Sequence, residues 1–325
     1  MDILLIERLQ PEAVAWLEAR HAVEHRPDLA TDPAGIRAAC REARAIVLPR
    51  KAVVTRDFLS AAPRLRAVAR MHADTDNTDL EACRERDVRV IHARTAHVRS
   101  NAEFLLTALL MLYRRGIGLP LSGQRHADIR VGRELNGSTI GLLGLAPAAH
   151  TLALLLRSLG ARLIGYDPAV HRSSPVWSRL KVEPVSLYEL VAFADAVSVQ
   201  VMYASRYQGF VNERVLAHCK PGQYWVGISR SALFEPIALS QALADGRIEA
   251  CVLDGAEAGF ASRGTPLHEA ENLYLTPRLG SHTREARVRA SWYVAGRIHE
   301  ALSQPAGART DHDVSASPID APLCP

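Results

Sequence analysis

Short apolar runs alternate with longer helix-like segments along most of this chain of 325 residues. Strands that alternate with helices favour a parallel sheet, because each parallel strand needs a crossover connection and the helices then cover both faces. We therefore predict an α/β fold. The candidate strands are Ile3–Ile6, Ala45–Leu48, Leu65–Arg70, Val88–Ile91, Ile140–Leu145, Arg162–Tyr166, Ala196–Val201, Tyr224–Ile228, Ala250–Leu253 and Leu273–Thr276.

A long apolar helical segment, Asn101–Tyr113, divides these runs into four before it and six after it. Ten strands are many for one sheet, and the chain length suits two ordinary domains. We predict two doubly wound parallel-sheet domains joined by this helical hinge. An amphipathic helix, Arg287–Ser303, follows the last strand. The Pro, Gly, Ser, Thr and Asp content beyond it predicts a disordered tail over 305–325.

Charge and composition exclude several classes of function. The 39 basic and 35 acidic residues give a net charge of +4 that is spread along the chain, whereas a nucleic-acid binder usually concentrates its bases on one stripe. No apolar run reaches the length of about 18 residues that a membrane span needs. The acidic start of the chain does not fit a secretory signal, so we expect a cytoplasmic protein with reduced cysteines. No His, Cys, Asp or Glu cluster has metal-ligand spacing, so no metal site is expected.

The strongest local motif is a strand, a tight turn and a helix over Thr139–Ala149, with the sequence TIGLLGLAPAA. A second strand follows and ends at Asp167, 23 residues after Gly144. This arrangement is typical of the first βαβ unit of a dinucleotide-binding fold, in which a carboxylate at the end of the second strand binds the adenosine ribose. An acid at that position favours NAD over NADP, because it repels a 2′-phosphate.

The glycine fingerprint of this turn is altered. The G-x-G-x-x-G register falls on Gly144, Ala146 and Ala149, so a methyl group stands where the backbone must approach the pyrophosphate. Pro147 removes one backbone N–H from the anion-binding turn, and Ala148 follows it. The sequence leaves two interpretations open: a turn that still binds the nucleotide, or a domain that packs well and binds it poorly or not at all.

Several stretches in the same order and spacing resemble the D-isomer-specific 2-hydroxyacid dehydrogenases. This group contains D-3-phosphoglycerate dehydrogenase, glyoxylate/hydroxypyruvate reductase and D-lactate dehydrogenase. The resemblance covers residues 1–303 and is that of a divergent member. The stretches that carry it are Thr75–Leu80, Ser100–Phe104, Lys220–Gly222 with Ile228–Arg230, Ala238–Ile248, Leu253–Asp254 and Leu275–Pro277.

The resemblance implies a flavodoxin-like substrate domain of residues 1–99 plus 287–304 and a Rossmann NAD-binding domain of residues 100–286. It implies NAD as the cofactor, an active site in the cleft between the domains and a homodimer formed through the cofactor domain. The reaction would transfer a hydride between NAD(H) and a small 2-hydroxy or 2-oxo acid. Gly144, Ala146, Pro147, Ala148, Asp167, Ser229 and Asp254 are the predicted cofactor-binding residues.

The family uses an arginine, a histidine and a glutamate for catalysis, and only the arginine is in place. Arg230 follows an apolar strand, and its planar guanidinium suits a carboxylate together with an oxo group. Arg278 stands where the family has its acid/base histidine, and a guanidinium stays protonated in proteins. His282 is the nearest substitute. The family's glutamate position falls on Gly259, and Glu257 lies two residues earlier.

The substrate-binding turn also departs from the family pattern. The family holds the substrate carboxylate with the backbone amides of a G-x-G turn, and this chain has His72, Ala73 and Asp74 there. Asp74 would repel a carboxylate unless its side chain points away. From their positions in the family pattern, we predict that the substrate-binding residues are His72, Ala73, Asp74 and Arg230.

These departures leave two hypotheses. In the first, the chain is an NAD-dependent oxidoreductase whose Arg230 and Arg278 form a dicationic pocket for an anionic, and in particular a dianionic, small-molecule substrate. His282 or His72 would then supply the proton. In the second, the chain is a catalytically inactive family member that serves as a ligand-binding or regulatory and structural protein.

Overall fold

The structure is a computed structural model that describes residues 1–72, 77–115 and 131–304. Contacts between Cα atoms divide the chain into two compact units. Unit 1 is Met1–His97 together with the segment from Thr283 onward, and unit 2 is Val98–His282. The predicted tail over 305–325 lies outside the described residues. The proposed domain boundaries and roles stay a prediction.

Unit 1 is built on a five-stranded sheet in the order β2-β1-β3-β4-β5, in which every neighbouring pair is parallel. This is the flavodoxin-like strand order. With elements numbered in chain order, its strands are β1 Ile3–Leu5, β2 Val23–His25, β3 Ala45–Val47, β4 Ala67–Arg70 and β5 Arg89–His92. Its helices are α1 Pro11–Glu18, α2 Pro33–Ala39, α3 Arg56–Ala61, α4 Leu80–Glu85 and α11 Arg284–Ser303.

The helices of unit 1 cover both faces of this sheet. Strands β1, β3 and β4 are buried along their whole length, which is why they are continuous apolar runs in the sequence. Helix α11 packs Val294 and Ile298 into the same core as Leu17 of α1. The final helix therefore completes the core of the unit that begins the chain.

Unit 2 contains a seven-stranded parallel sheet in the order β12-β11-β10-β9-β6-β7-β8. If β6 is counted as the first strand, the order from the other edge is that of a Rossmann fold with one further strand. The strands are β6 Thr139–Leu143, β7 Arg162–Tyr166, β8 Glu183–Pro184, β9 Ala196–Val199, β10 Gln223–Gly227, β11 Ile248–Asp254 and β12 Leu273–Thr276. The helices are α5 Val98–Tyr113, α6 Pro147–Ser158, α7 Pro175–Leu180, α8 Leu187–Phe193, α9 Glu213–Leu216 and α10 Pro236–Ala244.

Two apolar layers hold the helices of unit 2 against its sheet. On one face, Leu105 of α5 and Leu152 of α6 share a buried cluster with β6 and β10. On the other face, Leu190 of α8 and Leu239 of α10 pack in a second cluster around Trp225. The two sheets with their flanking helices confirm the predicted α/β class with two doubly wound parallel-sheet units. No helix in the described residues is long and apolar enough to cross a membrane.

Candidate active site

The carboxyl ends of β6 and β9 form the point in unit 2 where the strand order reverses, and ligands of open α/β sheets bind at such a point. Gly144 follows β6 directly and has a φ of +97°. A Cβ atom added at Gly144 would collide with the backbone of Gln200 and Val201, which follow β9. Only glycine fits here, so the chain turns tightly and leaves a backbone cradle between the two strands.

Asp167 fixes the conformation of this turn. Its Oδ2 accepts a hydrogen bond of 2.6 Å from the amide of Leu145, and its Oδ1 accepts one of 2.7 Å from the amide of Ala169. The amide of Gly144 donates to the carbonyl of Tyr166 at 2.7 Å. The carboxylate thus lies at the end of β7, beside the turn, where the sequence predicts a contact with the ribose.

The first turn of α6 is arranged to receive an anion. Ala146 precedes the helix with a φ of −55°, which alanine adopts without strain, and its side chain makes no capping hydrogen bond. The first amides of a helix lack partners within the helix and point outward, which makes the end an anion site. Pro147 lacks an N–H, so the amide of Ala148 is the first donor inside the helix. The residues present fit a dinucleotide. The turn offers one backbone N–H donor fewer than it would if position 147 were not proline.

Arg230 follows β10 at the same edge of the sheet and belongs to a cluster with Glu257, Ser231 and Tyr203, here named the Arg230 cluster. Arg230 Nε donates to Glu257 Oε1 at 2.6 Å. The amide of Ser231 donates to Glu257 Oε2 at 2.8 Å, and the Ser231 hydroxyl donates to the same oxygen. The Arg230 guanidinium carbon lies 4.8 Å from the centre of the Tyr203 ring, within cation–π distance.

These contacts determine the charge of Glu257. Burial acts to raise its pKa, but the hydrogen bonds from Arg230 and Ser231 outweigh burial and hold the pKa below its usual value. Glu257 is therefore ionised at neutral pH and acts as a hydrogen-bond acceptor. Glu257 neutralises the charge of Arg230. The predicted pair of cations, Arg230 and Arg278, therefore includes one arginine that is already paired with a carboxylate.

Asp254 and Ser229, two of the predicted cofactor ligands, make hydrogen bonds within the protein. Asp254 Oδ1 accepts from Thr276 Oγ1 at 2.5 Å and from the amide of Leu279 at 2.6 Å, and its Oδ2 accepts from the amide of Gly280 at 2.8 Å. Ser229 Oγ donates to a backbone carbonyl after β9 at 3.0 Å. Asp254 therefore shapes the loop that follows β12.

That loop contains Arg278 and His282. Arg278 is exposed and has a φ of +61°, and its side chain lies against the Cα of Gly255, where a Cβ atom would collide with Arg278 Cγ. His282 is exposed, and its ring makes no hydrogen bond with any residue in the described ranges. Nowhere in those ranges do three His, Cys, Asp or Glu side chains come together as metal ligands.

His72 belongs to unit 1, where it follows β4. It is 9% exposed, and neither ring nitrogen has a hydrogen-bond partner among the described residues. Burial, together with the charges of Arg50 and Arg70, lowers its pKa to about 3. The ring is therefore neutral at physiological pH. Ala73 and Asp74, the rest of the predicted substrate turn, lie outside the described residues.

The same fold occurs in known proteins. Residues 107–280 match the family model described as "D-isomer specific 2-hydroxyacid dehydrogenase, NAD binding domain". The chain belongs to the D-isomer-specific 2-hydroxyacid dehydrogenase family. The resemblance seen in the sequence is thus confirmed. The predicted cofactor, NAD, is confirmed at the level of the family, because the matched domain is the family's NAD-binding domain.

Individual relatives extend the match beyond that domain. An (S)-sulfolactate dehydrogenase from Chromohalobacter salexigens is 31% identical over 305 residues, which cover 93% of this chain and 98% of the relative. A D-3-phosphoglycerate dehydrogenase from Mycobacterium bovis is 33% identical over 307 residues, which cover 93% of this chain but only 57% of that longer protein. The crystal structure of the TT0316 protein from Thermus thermophilus superposes with a TM-score of 0.80 at 25% identity, covering 93% of this chain and 97% of that one.

The structure brings Arg230 and Glu257 together, as two members of the predicted catalytic set, and places Arg278 and His282 in the loop after β12. Sequence reasoning missed Ser231 and Tyr203. Ser231 carries a usable signal, since it follows Arg230 directly in the sequence. Tyr203 has none, because only the folded loop after β9 brings its ring to the arginine. The roles of all these residues stay predictions.

Proposed function

We propose that this family member is an NAD-dependent oxidoreductase that transfers a hydride between NAD(H) and a small 2-hydroxy or 2-oxo acid. The observation that carries the proposal is the Arg230 cluster at the carboxyl edge of the sheet that also holds the Gly144 turn. Strand β10 pairs with β9, and β9 pairs with β6, so a substrate held at Arg230 lies on the same sheet edge as the nucleotide turn. Arg230 would bind the substrate carboxylate through its guanidinium.

The nucleotide would be held by residues of the turn between β6 and α6. Gly144 provides the backbone cradle, the amide of Ala148 faces the pyrophosphate position, and Asp167 lies where the ribose hydroxyls bind. The bound dinucleotide supplies or accepts the hydride. These residues orient it, and Asp167 disfavours a 2′-phosphate by charge repulsion.

The charges of the site support an acidic substrate with a second anionic group. Glu257 balances Arg230, and Arg278 adds a further positive charge in the loop after β12. The two named relatives act on sulfolactate and phosphoglycerate, and both names denote 2-hydroxy acids with a second anionic group. For proton transfer, His282 is the better candidate, because burial holds His72 in its neutral form.

A second candidate function rests on Pro147 and Arg278. Pro147 removes one amide from the anion-binding turn, and Arg278 cannot exchange a proton near neutral pH. A family member with both changes could have lost turnover and serve as a ligand-binding or regulatory protein. This alternative predicts that no 2-oxo acid is turned over, whether or not NADH still binds.

We further propose a homodimer formed through unit 2. Helices α5 and α6 pack on each other within the unit, yet they expose Leu110, Met111 and Leu154 to between 38% and 57%. Exposed apolar side chains on neighbouring helices are typical of a surface that is covered in an oligomer. Sedimentation velocity at micromolar protein concentration would give a single dimeric species, and a monomer would contradict the proposal.

Titration with NADH separates the two candidate functions. We expect NADH fluorescence to change saturably on addition of the protein. We then expect NADH oxidation with members of a panel of 2-oxo acids that includes 3-sulfopyruvate and 3-phosphohydroxypyruvate. NADH binding without turnover of any acid at high enzyme concentration would favour the inactive alternative. No NADH binding at all would contradict the proposed function.

A further inference from the structure

The Arg230 cluster presents a cation and an anion side by side. Arg230 Nε and Glu257 Oε1 are 2.6 Å apart, and Ser231 holds the second carboxylate oxygen through its amide and its hydroxyl. The arginine side chain is 41% exposed and the glutamate side chain 29% exposed, so both can be reached by a small molecule. Three hydrogen bonds to Glu257 leave acceptor capacity, because an ionised carboxylate has about four lone-pair sites.

This pair of charges suits the iminium group of a 2-imino acid better than the oxo group of a 2-oxo acid. A 2-oxo acid offers only acceptor oxygens, so its oxo group would meet the ionised Glu257 without a hydrogen between them. A protonated 2-imino acid offers a carboxylate for Arg230 and a positively charged N–H for Glu257. The imino acid therefore complements both members of the pair.

Proton supply favours the same substrate. Reduction of a ketone to an alcohol needs a proton as well as a hydride. The Arg230 cluster offers a guanidinium, a carboxylate and the hydroxyls of Ser231 and Tyr203. Arg230 stays protonated and Glu257 is ionised by its contacts, so neither donates a proton near neutral pH, and reduction of a ketone would depend on His282 in the loop after β12. The nitrogen of an iminium ion already carries its proton, so its reduction does not depend on that histidine.

We propose that this site also reduces 2-imino acids, and reduces them faster than the corresponding 2-oxo acids, with Glu257 as the partner of the iminium N–H and Arg230 as the partner of the carboxylate. The inference rests on the proposed function, because NADH is the reductant in both reactions. A 2-oxo acid and an ammonium ion condense to an iminium ion and water. A hydride adds to C2, the π electrons of the C=N bond become the lone pair of a neutral amine, and that amine takes a proton from water. The products are a 2-amino acid and NAD⁺.

The test compares two probes with six carbon atoms each. Δ1-Piperideine-2-carboxylate is a cyclic 2-imino acid that persists in water, and 2-oxohexanoate is the matched 2-oxo acid. NADH oxidation is followed by its absorbance with the full-length protein near neutral pH. We expect a kcat/KM at least about tenfold higher for the imine, and addition of ammonium to 2-oxohexanoate should raise its rate.

Glu257→Gln tests the role of the carboxylate, with Glu269→Gln as the matched control, because Glu269 is an exposed glutamate of the same unit. We expect Glu257→Gln to lower kcat/KM for the imine about tenfold or more, and by a larger factor than it lowers that for 2-oxohexanoate. Glu269→Gln should change neither. Titration calorimetry of pipecolate in the presence of NADH and of 2-oxohexanoate in the presence of NAD⁺, pairs that cannot react, should show a larger loss of affinity for pipecolate than for 2-oxohexanoate in Glu257→Gln.

The outcomes separate this inference from the proposed function. Reduction of 2-oxohexanoate at an equal or higher kcat/KM than the imine would overturn the inference and leave the proposed function standing. NADH oxidation with neither probe nor any acid of the panel would overturn both. The comparison of the two probes uses the unaltered protein, so the inference stays testable even if Glu257→Gln does not fold.

Discussion

Gly144 and Gly222 share a backbone conformation but differ in their surroundings. Their φ values are +97° and +73°, in the region that residues with a Cβ atom seldom adopt. A Cβ atom at Gly144 would strike the backbone of Val201, whereas none of the atoms around Gly222 lies within 4 Å of such an atom. The pair therefore separates the cost of backbone strain from the cost of a steric collision.

We expect Gly222→Ala to lower the free energy of unfolding by about 1 kcal/mol, through strain alone. Gly144→Ala should lower it by more and should also weaken NADH binding, because the turn between β6 and α6 has to move. Urea denaturation measures the first effect and NADH fluorescence titration the second. Equal losses of stability in the two variants, with NADH binding intact, would show that the cradle at Gly144 is not needed.

Arg230 binds through the geometry of its guanidinium as well as through its charge. We expect Arg230→Lys to raise KM for acidic substrates and to lower kcat/KM by about tenfold to a hundredfold, since an ammonium cannot reproduce the planar fork. Steady-state kinetics with the best acid of the panel would measure this change. Arg263→Lys, at an exposed arginine of the same unit, is the control and should leave the kinetics unchanged. If both variants had the kinetics of the unaltered protein, Arg230 would not be a substrate-binding residue.

The sequence identifies Arg230 because a polar residue that ends an apolar strand lies at the carboxyl edge of a parallel sheet. It does not reveal that Glu257 pairs with Arg230. That pairing depends on how the loop after β11 folds back towards Ser231, and loop conformation has no periodic signal. For the same reason, the sequence does not reveal that Asp254 accepts hydrogen bonds from the loop after β12. These bonds give Asp254 a structural role in addition to the predicted role in cofactor binding.

At the scale of elements, the alternation of apolar runs predicts ten of the twelve strands in the described residues. The two missed strands, β2 and β8, lie at sheet edges. Strand β2 is Val23–His25, with two exposed residues, and β8 is only Glu183–Pro184. Edge strands of this kind bury one side at most, so they lack the continuous apolar run that marks a central strand.

Helix α11 begins earlier than its apolar pattern predicts. Its apolar periodicity predicts a start at Arg287, but the helix begins at Arg284, because Thr283 caps it. Thr283 Oγ1 accepts a hydrogen bond of 3.1 Å from the amide of Ala286. We expect Thr283→Ala to lower the free energy of unfolding by about 1 kcal/mol and Thr283→Ser to retain most of it. Urea denaturation would measure both, and an equal loss in the two variants would exclude the cap as the cause.

At the scale of the whole molecule, Glu7 and His72 make opposite contributions to the pH dependence of stability. Burial raises the pKa of Glu7 to about 7, although Arg50, Arg287 and Arg70 oppose the change. The contribution of Glu7 to the free energy of unfolding is present at low pH and is lost as the pH rises from about 4.5 to about 7. Burial lowers the pKa of His72 to about 3, and its contribution is lost as the pH falls from about 6.5 towards that value. Between pH 4.5 and 6.5 the two slopes oppose each other.

Glu7→Gln removes one of these slopes. We expect the stability of the variant, relative to the unaltered protein, to increase as the pH rises from about 4.5 to about 7. Urea denaturation at a series of pH values measures this difference, and subtraction of the two curves cancels the groups that both proteins share. A difference that does not change with pH would mean that Glu7 titrates in the folded protein as it does in the unfolded chain.

The return of the chain to unit 1 through α11 has a consequence for biosynthesis. Unit 2 is one continuous stretch, Val98–His282, and its sheet can assemble as soon as that stretch has left the ribosome. Unit 1 supplies its five strands first but waits for Val294 and Ile298 to close its core. The half of the molecule that is synthesised first is therefore completed last, and until then it exposes an apolar face that chaperones could recognise.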